Sequence, residues 1–359
     1  MNDDGLKLTT YFGERDRSGS RLLADALLDV YGRREIHSSL LLRGIEGFGF
    51  RHQLHSDMLL SLSEDLPVVS VAVDTRQRIE SVLPDVLALK RKGLLTLERA
   101  RILSGDMAPA QLPEELHEAT KLTLYVGRQE RIGRVPAFVA ICDLLHQRGV
   151  AGATALLGVD GTSHGRRERA RFFARNAEVP MMVIAVGSGE RIAQALPGLG
   201  GLMRAPTATL ERVRVCKRDG QLLDTPHPLP STDERGLALW QKLMIFSSEN
   251  ARHGDRPLHR ALVRALRRDS ETRGATTVRG VWGFHGDHPP HGDRLLQRHR
   301  HVPTVTIVID TPQRIGRAFA IVDRLTAETG LVTSEMVPAA TALNGDERHG
   351  GVRLARHRF

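Results

Sequence analysis

The chain has little of what fastens a small secreted domain or carries a protein through a membrane. It holds two cysteines, Cys142 and Cys216, in 359 residues. That is too few, and they stand too far apart, for a disulfide framework or a zinc spacing, and the pattern is the one expected of a reducing, cytoplasmic setting. Aromatic residues make up only 4%, so the cores must be built from Leu, Val, Ile and Ala. No apolar run approaches the ~20 residues that span a bilayer, and the opening MNDDGLKLTT has neither the basic nor the apolar region of a secretory signal. Negative charge is also short: the formal net charge is +9. A basic surface of this size suits an anionic partner such as a nucleotide, a nucleic acid or an anionic membrane, or it is only a well-solvated exterior. The absence of a recognition helix, an RNP-type aromatic motif or a Cys/His finger argues against nucleic acid. No nucleophile elbow, Walker-type loop or paired acid set is present, so the expectation is a protein that is not an enzyme.

What is present is repetition. LPVVSVAVDTRQRI, from Leu66 to Ile79, returns as VPMMVIAVGSGERI from Val179 and as VPTVTIVIDTPQRI from Val302. The Pro and the Ile keep one separation in all three copies, and a fixed-period self-match of this kind defines the architecture. Each copy reads as an alternating strand, a polar turn and the start of a helix. Around it the order is strand, helix, strand, strand, helix, strand. KLTTYF at Lys7 is echoed by KLTLYV at Lys121, and the first helix of repeat one is read over Arg21 to Tyr31, with Gly32 as its C-cap. The second helix of repeat two is rich in Gly and Pro and reads as weak.

This order implies an α+β chain of three tandem ferredoxin-like (βαββαβ) domains at 5–103, 120–218 and 239–338, with linkers at 104–119 and 219–238 and a flexible basic tail at 339–359. Each unit is expected to be an antiparallel four-stranded sheet with both helices on one face. The open faces must be buried, and three in one chain can bury one another, which predicts a monomeric, single-chain pseudo-trimer.

Candidate site residues lie at two places in each repeat. Insertions of about twenty residues, Ile45–Asp65, Val159–Glu178 and Val281–His301, separate the second and third strands. Loops of that length tend to be functional, with a hairpin extension that serves assembly as the plain alternative. At their bases stand Gly44, Gly47 and Gly49, then Gly158 and Gly161, then Gly280 and Gly283. Glycine lets a phosphate approach backbone N–H groups, although a tight turn accounts for it equally well. The second place is the turn of the repeated stretch: Asp74, Thr75, Arg76 and Arg78; Ser188 and Arg191; Asp310, Thr311 and Arg314. A helix N-terminus there favours an anion, and the recurring Arg suits bidentate phosphate contact. The alternatives are simple N-caps and an ion pair from that Arg to Glu98, Glu211 or Glu335. In the third insertion His285, His288 and His291 form a candidate metal set for zinc, copper or nickel.

RGIEGFG at Arg43, RGVWGFHG at Arg279 and the P-V-x-V-x-V-D-T-x-x-R-I copies resemble the PII-like domain-of-unknown-function family 190, three times over. Repeat two departs, with GSGERI and GVDGTSHG in place of the motifs. The resemblance implies the fold of PII signalling proteins, homotrimers that bind adenine nucleotides between subunits and act through a loop between the second and third strands. It implies a regulatory protein with no obligatory cofactor, an adenine nucleotide as effector, and clefts whose walls include Arg99 and Arg212. It also suggests a membrane transporter or channel as partner, such as a fluoride channel. The alternative is a metal-binding or purely assembling scaffold resembling CutA-type trimers.

Overall fold

The computed structural model describes residues 2–57, 65–104, 107, 118–163, 165–167, 179–203, 207–286, 288–292 and 302–357. Repeat one contains β1 (Asn2–Gly13), α1 (Leu23–Arg33), β2 (Ser38–Phe48), β3 (Pro67–Thr75), α2 (Arg76–Leu89) and β4 (Lys92–Ser104). Repeat two contains β5 (Thr120–Gly127), α3 (Ala137–Gln147), β6 (Gly152–Leu157), β7 (Asp160–Ser163), β8 (Pro180–Gly187), α4 (Gly189–Leu202), β9 (Thr207–Arg212) and β10 (Arg214–Arg218). Repeat three contains β11 (Trp240–Ser248), α5 (Leu258–Arg268), β12 (Ala275–His285), β13 (Pro303–Asp310), α6 (Pro312–Leu325) and β14 (Leu331–Val337). The strands β15 (Ala339–Asn344) and β16 (Glu347–Gly350) follow.

Every pairing within a repeat is antiparallel, and the strand orders are β4–β1–β3–β2, β9–β5–β8–β6 and β14–β11–β13–β12. The strand period of two sorts the side chains. Val68 and Ala72 of β3 join the core under α1 and α2, while Val69, Val71 and Val73 join a second core shared by all three repeats. Met182, Ile184 and Val186, and Val305, Ile307 and Ile309, do the same in their repeats. Helices are amphipathic to match. In α5 Leu258, Leu262, Val263 and Leu266 are buried while the arginines between them face away. The result is one strand-rich barrel with helices outside it.

Strand pairing also closes the ring. The end of β2 pairs with the start of β12, the end of β12 with β6, and β7 with the start of β2. The fourth strands link the other way: β4 with β9, β10 with β14, and β15 with β4.

Three expectations change. The stretch after Ala339, read as a flexible tail, forms β15 along the open edge of β4 and buries Ala339, Ala340 and Ala342; an edge strand with unpaired backbone groups accounts for it. Gly32 lies inside α1 rather than capping it, and Glu35 takes the positive φ of 51° after the helix. Gly32 instead permits close approach, since a Cβ there would sit 3.3 Å from the Gly165 carbonyl. Helix α4 runs on despite its glycines, because a Cβ at Gly198 would lie 2.9 Å from Leu144 and the small residue lets α4 pack against α3.

Candidate functional site

At the centre of the barrel the first strands present Lys7, Lys121 and Lys242 inward, and the fourth strands present Glu98, Glu211 and Glu335 opposite them. All six are buried. Each lysine pairs with the glutamate of its own repeat and with one from another: Lys7 with Glu98 at 3.1 Å and with Glu211, Lys121 with Glu211 at 3.1 Å and Glu335 at 2.5 Å, Lys242 with Glu335 at 3.1 Å and with Glu98. The six charges form a closed, neutral, alternating ring. Burial alone would lower a lysine pKa, yet Glu211, Glu98 and Glu335 outweigh it and hold Lys7 above its ordinary value. Glu98 is likewise held well below the carboxylate range, its burial overcome by Lys242, Lys7 and Lys121.

The expected alternative pairing of Arg78, Arg191 and Arg314 with these glutamates is therefore corrected. Those arginines stand in the first turn of α2, α4 and α6, and their side chains reach the turn between the first helix and second strand of their own repeats. Arg78 Nη1 donates to the Glu35 carbonyl at 2.8 Å, the Arg191 guanidinium lies beside Gly149, and Arg314 approaches Glu271 at 3.5 Å and Asp310 at 3.7 Å. The ring carboxylates come within 4.8 Å of one another, the geometry of a cation site, but three ammonium groups already neutralise them. The signal was in the sequence: a Lys recurs in each first strand and a Glu in each fourth, on the inward face.

The three boundaries between repeats share strand geometry and differ in what fills them. Where β2 meets β12, between repeats one and three, a cavity of about 230 Å³ remains. Its apolar wall is Tyr11, Leu94, Trp240, Ile307 and Ile309; its rim carries Gly47, Phe48, Gly49, Phe50 and Arg51 from the base of the first insertion, with Lys92, Gly93 and Arg273. The Arg273 guanidinium lies 5.7 Å from the Phe50 ring centroid, and His349 stacks on the same ring. The buried Trp240 Nε1 has no acceptor among the described residues. Lys92 pairs with Asp16 at 2.5 Å. Below it the buried Lys90 donates to the Tyr11 carbonyl at 2.8 Å, and burial pushes its pKa down to about 7. The repeat-three turn borders this cavity, since Asp310 accepts from the Arg273 N–H at 3.1 Å.

Where β12 meets β6, between repeats three and two, a turn of the second connector packs against the end of β12 and the start of β14. The Asp219 N–H donates to the Gly330 carbonyl at 2.8 Å, its carboxylate sits 3.2 Å from His285 Nδ1, and Gly220 packs on the Ala327 carbonyl. Where β7 meets β2, between repeats two and one, Arg167 latches the boundary with Asp160 at 2.7 Å, Asp25 at 2.5 Å and Asp29 at 3.2 Å. His37 Nε2 and Thr207 Oγ1 meet there at 2.9 Å.

Of the candidate residues named from the sequence, Gly47 and Gly49 line the open cavity. Gly49 has open space where a Cβ would stand. Gly44, Gly47 and Gly280 admit the facing strands: added Cβ atoms would lie 2.6 Å from Pro67, 2.7 Å from the Ala275 carbonyl and 2.7 Å from Pro303. Gly158, Gly161 and Gly283 are crowded in the same way by Pro180, Ser39 and Ala153. Thr75 and Ser188 cap α2 and α4, accepting from the N–H of Arg78 and Arg191; Thr311 makes no such bond. Asp74 accepts from the His37 N–H at 2.8 Å. Arg76 and Arg99 come together at a separate surface cleft, while Arg212, at the end of β9, lies elsewhere. His285 and His288 are edge-on at 5.7 Å, and His291 Nδ1 contacts the Pro289 carbonyl at 2.9 Å. Among the described residues the three histidines do not form a ligand group.

The DUF190 family model, described as an uncharacterized ACR, matches residues 5–102, 119–215 and 240–339. The chain is also similar to the UPF0166 protein MJ1524 of Methanocaldococcus jannaschii, at 28% identity over 100 residues, which is 28% of this chain and 92% of that protein.

Proposed function

From the premise that the chain belongs to the PII-like family DUF190, as three tandem copies, we propose that it is a non-catalytic regulator. Each repeat is a ferredoxin-like unit, the three form a single-chain pseudo-trimer, and a small anionic effector, an adenine nucleotide, binds between repeats one and three. The observation that carries this reading is the open cavity, with an apolar wall on one side and Arg51 and Arg273 at a rim where Asp65 and the Lys92–Asp16 pair also stand. A base fits against Trp240, Ile307 and Ile309, and phosphates fit the arginines and the backbone of Gly47 to Phe50. At about 230 Å³ the space lies below the ~300–1,000 Å³ of typical ligand pockets, so the phosphates reach out past the first insertion.

That insertion supplies the output. Its described part is fastened to repeat three, where Asp57 approaches Arg279 at 3.5 Å and Arg260 at 3.8 Å, and the His52 carbonyl accepts from Arg267. An effector at the rim would loosen or tighten these contacts and so change the surface offered to a partner, for which a membrane transporter or channel in a cytoplasmic setting is the proposal. No helix among the described residues is long and apolar enough to cross a membrane. A thermal-shift screen of adenine nucleotides tests the reading: a concentration-dependent rise in melting temperature is expected, and none at millimolar ligand overturns it. A second reading, an assembling scaffold resembling CutA-type trimers, draws on the buried Lys–Glu ring. It predicts no nucleotide response and an unchanged fold in Arg273→Ala.

A further inference from the structure

A second cleft, of about 360 Å³, lies far from the first along the outer edge of repeat one. Three segments distant in sequence build it. Arg76 and Arg99 come from α2 and β4, Arg235 from the second connector, and Arg353 and Arg356 from the segment after β16. Like charges gathered in this way need a reason. Two of the five are tied to backbone: Arg99 Nη2 donates to the Ala355 carbonyl and Arg235 Nη2 to the Leu354 carbonyl, each at 2.8 Å. Glu80 takes Arg76 at 2.7 Å. Asp233 takes Arg235 at 3.3 Å, but spends most of its capacity on the N–H groups of Arg235, Leu237 and Arg356. The side chains of Arg353 and Arg356, both exposed, have no carboxylate partner among the described residues. Burial lowers the Arg99 pKa below its ordinary value, and the nearby Arg356, Arg76 and Arg235 lower it further.

We propose that this five-arginine cleft binds a soluble oligophosphate, and that the bound anion clamps the C-terminal segment and the second connector onto repeat one. Guanidinium forks from several directions match the several equivalent oxygens of a phosphate chain, and a cleft of this volume lies within the range of small-ligand sites. A lipid headgroup is the weaker source of the same chemistry. Among the described residues the exposed large apolar ones are Val135, Val159, Leu222 and Leu223, and none lines the cleft to anchor it in a bilayer.

The test is calorimetric titration of the full chain with tripolyphosphate at low ionic strength. Wild type is expected to bind one equivalent, more weakly as salt rises. Arg353→Ala/Arg356→Ala removes two charge-assisted contacts from exposed positions and is expected to weaken binding at least about tenfold. The Lys pair at the same positions keeps the charge and should retain part of the affinity. Arg273→Ala, at the other cavity, should leave tripolyphosphate binding unchanged, so failure here is separable from failure of the nucleotide reading. No binding by wild type, or equal binding by the double Ala variant, overturns the proposal. Loss in Arg273→Ala with none in the double variant also overturns it, because the anion would then occupy the other cavity.

Discussion

The boundary between repeats one and three and the boundary between repeats three and two begin as the same object, the end of one second strand laid against the start of another. One holds a cavity of about 230 Å³, and at the other a turn of the second connector packs against the strand ends. The difference comes from the connector. The Asp219–Gly220 turn lies against repeat three at Gly330 and Ala327 and lays a carboxylate beside His285. The hollow boundary is lined by the base of the first insertion and by the side of β15, with Leu343 and Asn344 at its edge. A homotrimer would have three equal boundaries. Fusion into one chain lets each boundary carry its own contacts: a cavity at one, the Asp219–Gly220 turn at another and the Arg167 ion pairs at the third.

What all boundaries share is the ring, so the largest effect is expected there. Glu211→Gln leaves Lys7 and Lys121 short of a counter-charge in the buried centre and should cost about 3–5 kcal/mol in chemical denaturation. A cost under about 1 kcal/mol would mean that strand pairing alone sets the register of the repeats. At the open boundary, Arg273→Ala is expected to weaken nucleotide binding by about ten- to a hundredfold in a fluorescence titration, the loss of one charge-assisted contact. At the latched boundary, Arg167→Ala removes the ion pairs to Asp160, Asp25 and Asp29 and should cost about 1–3 kcal/mol with no change in nucleotide affinity. An equal effect of both arginines on affinity would erase the distinction between the boundaries.

The smallest effect concerns pH. Burial raises the Glu46 pKa to about 7, with Arg260 and Arg264 opposing it and Asp57 adding to it. A carboxyl whose folded pKa is raised contributes stability that is complete below its unfolded value, near 4.3, and is lost as pH rises through about 7. Glu46→Gln should therefore flatten the melting-temperature profile over that window and raise the melting temperature at its upper end. An unchanged slope in a pH series of melts would contradict the assignment.

Much of this was legible from residues alone. The spacing of Pro67, Pro180 and Pro303 marks the repeat, and the alternating run before each turn reads as a strand; that Val69, Val71 and Val73 are the side facing the shared core comes from the packing of the three sheets. The ring was written there as well, as a Lys at one position of each first strand, but a charge on a strand is ordinarily a surface feature. It becomes interior only when a second and third sheet close over it. The fillings of the boundaries were not legible. The placement of Asp219 depends on where a connector runs, and that of Arg167 on which helix of another repeat lies opposite. The glycines at the insertion bases carried two meanings in sequence, and the close strand contacts at Gly44 and Gly280 supply the packing one.

The cavity between repeats one and three is the one whose occupancy by an effector can be counted. Calorimetry tests this most directly with the Arg353→Ala/Arg356→Ala chain, whose outer cleft no longer competes for the phosphate chain, titrated by ATP and titrated again with Arg273→Ala added. One equivalent per chain is expected, lost when Arg273→Ala is added. Two or three equivalents, or one that survives Arg273→Ala, would contradict the assignment.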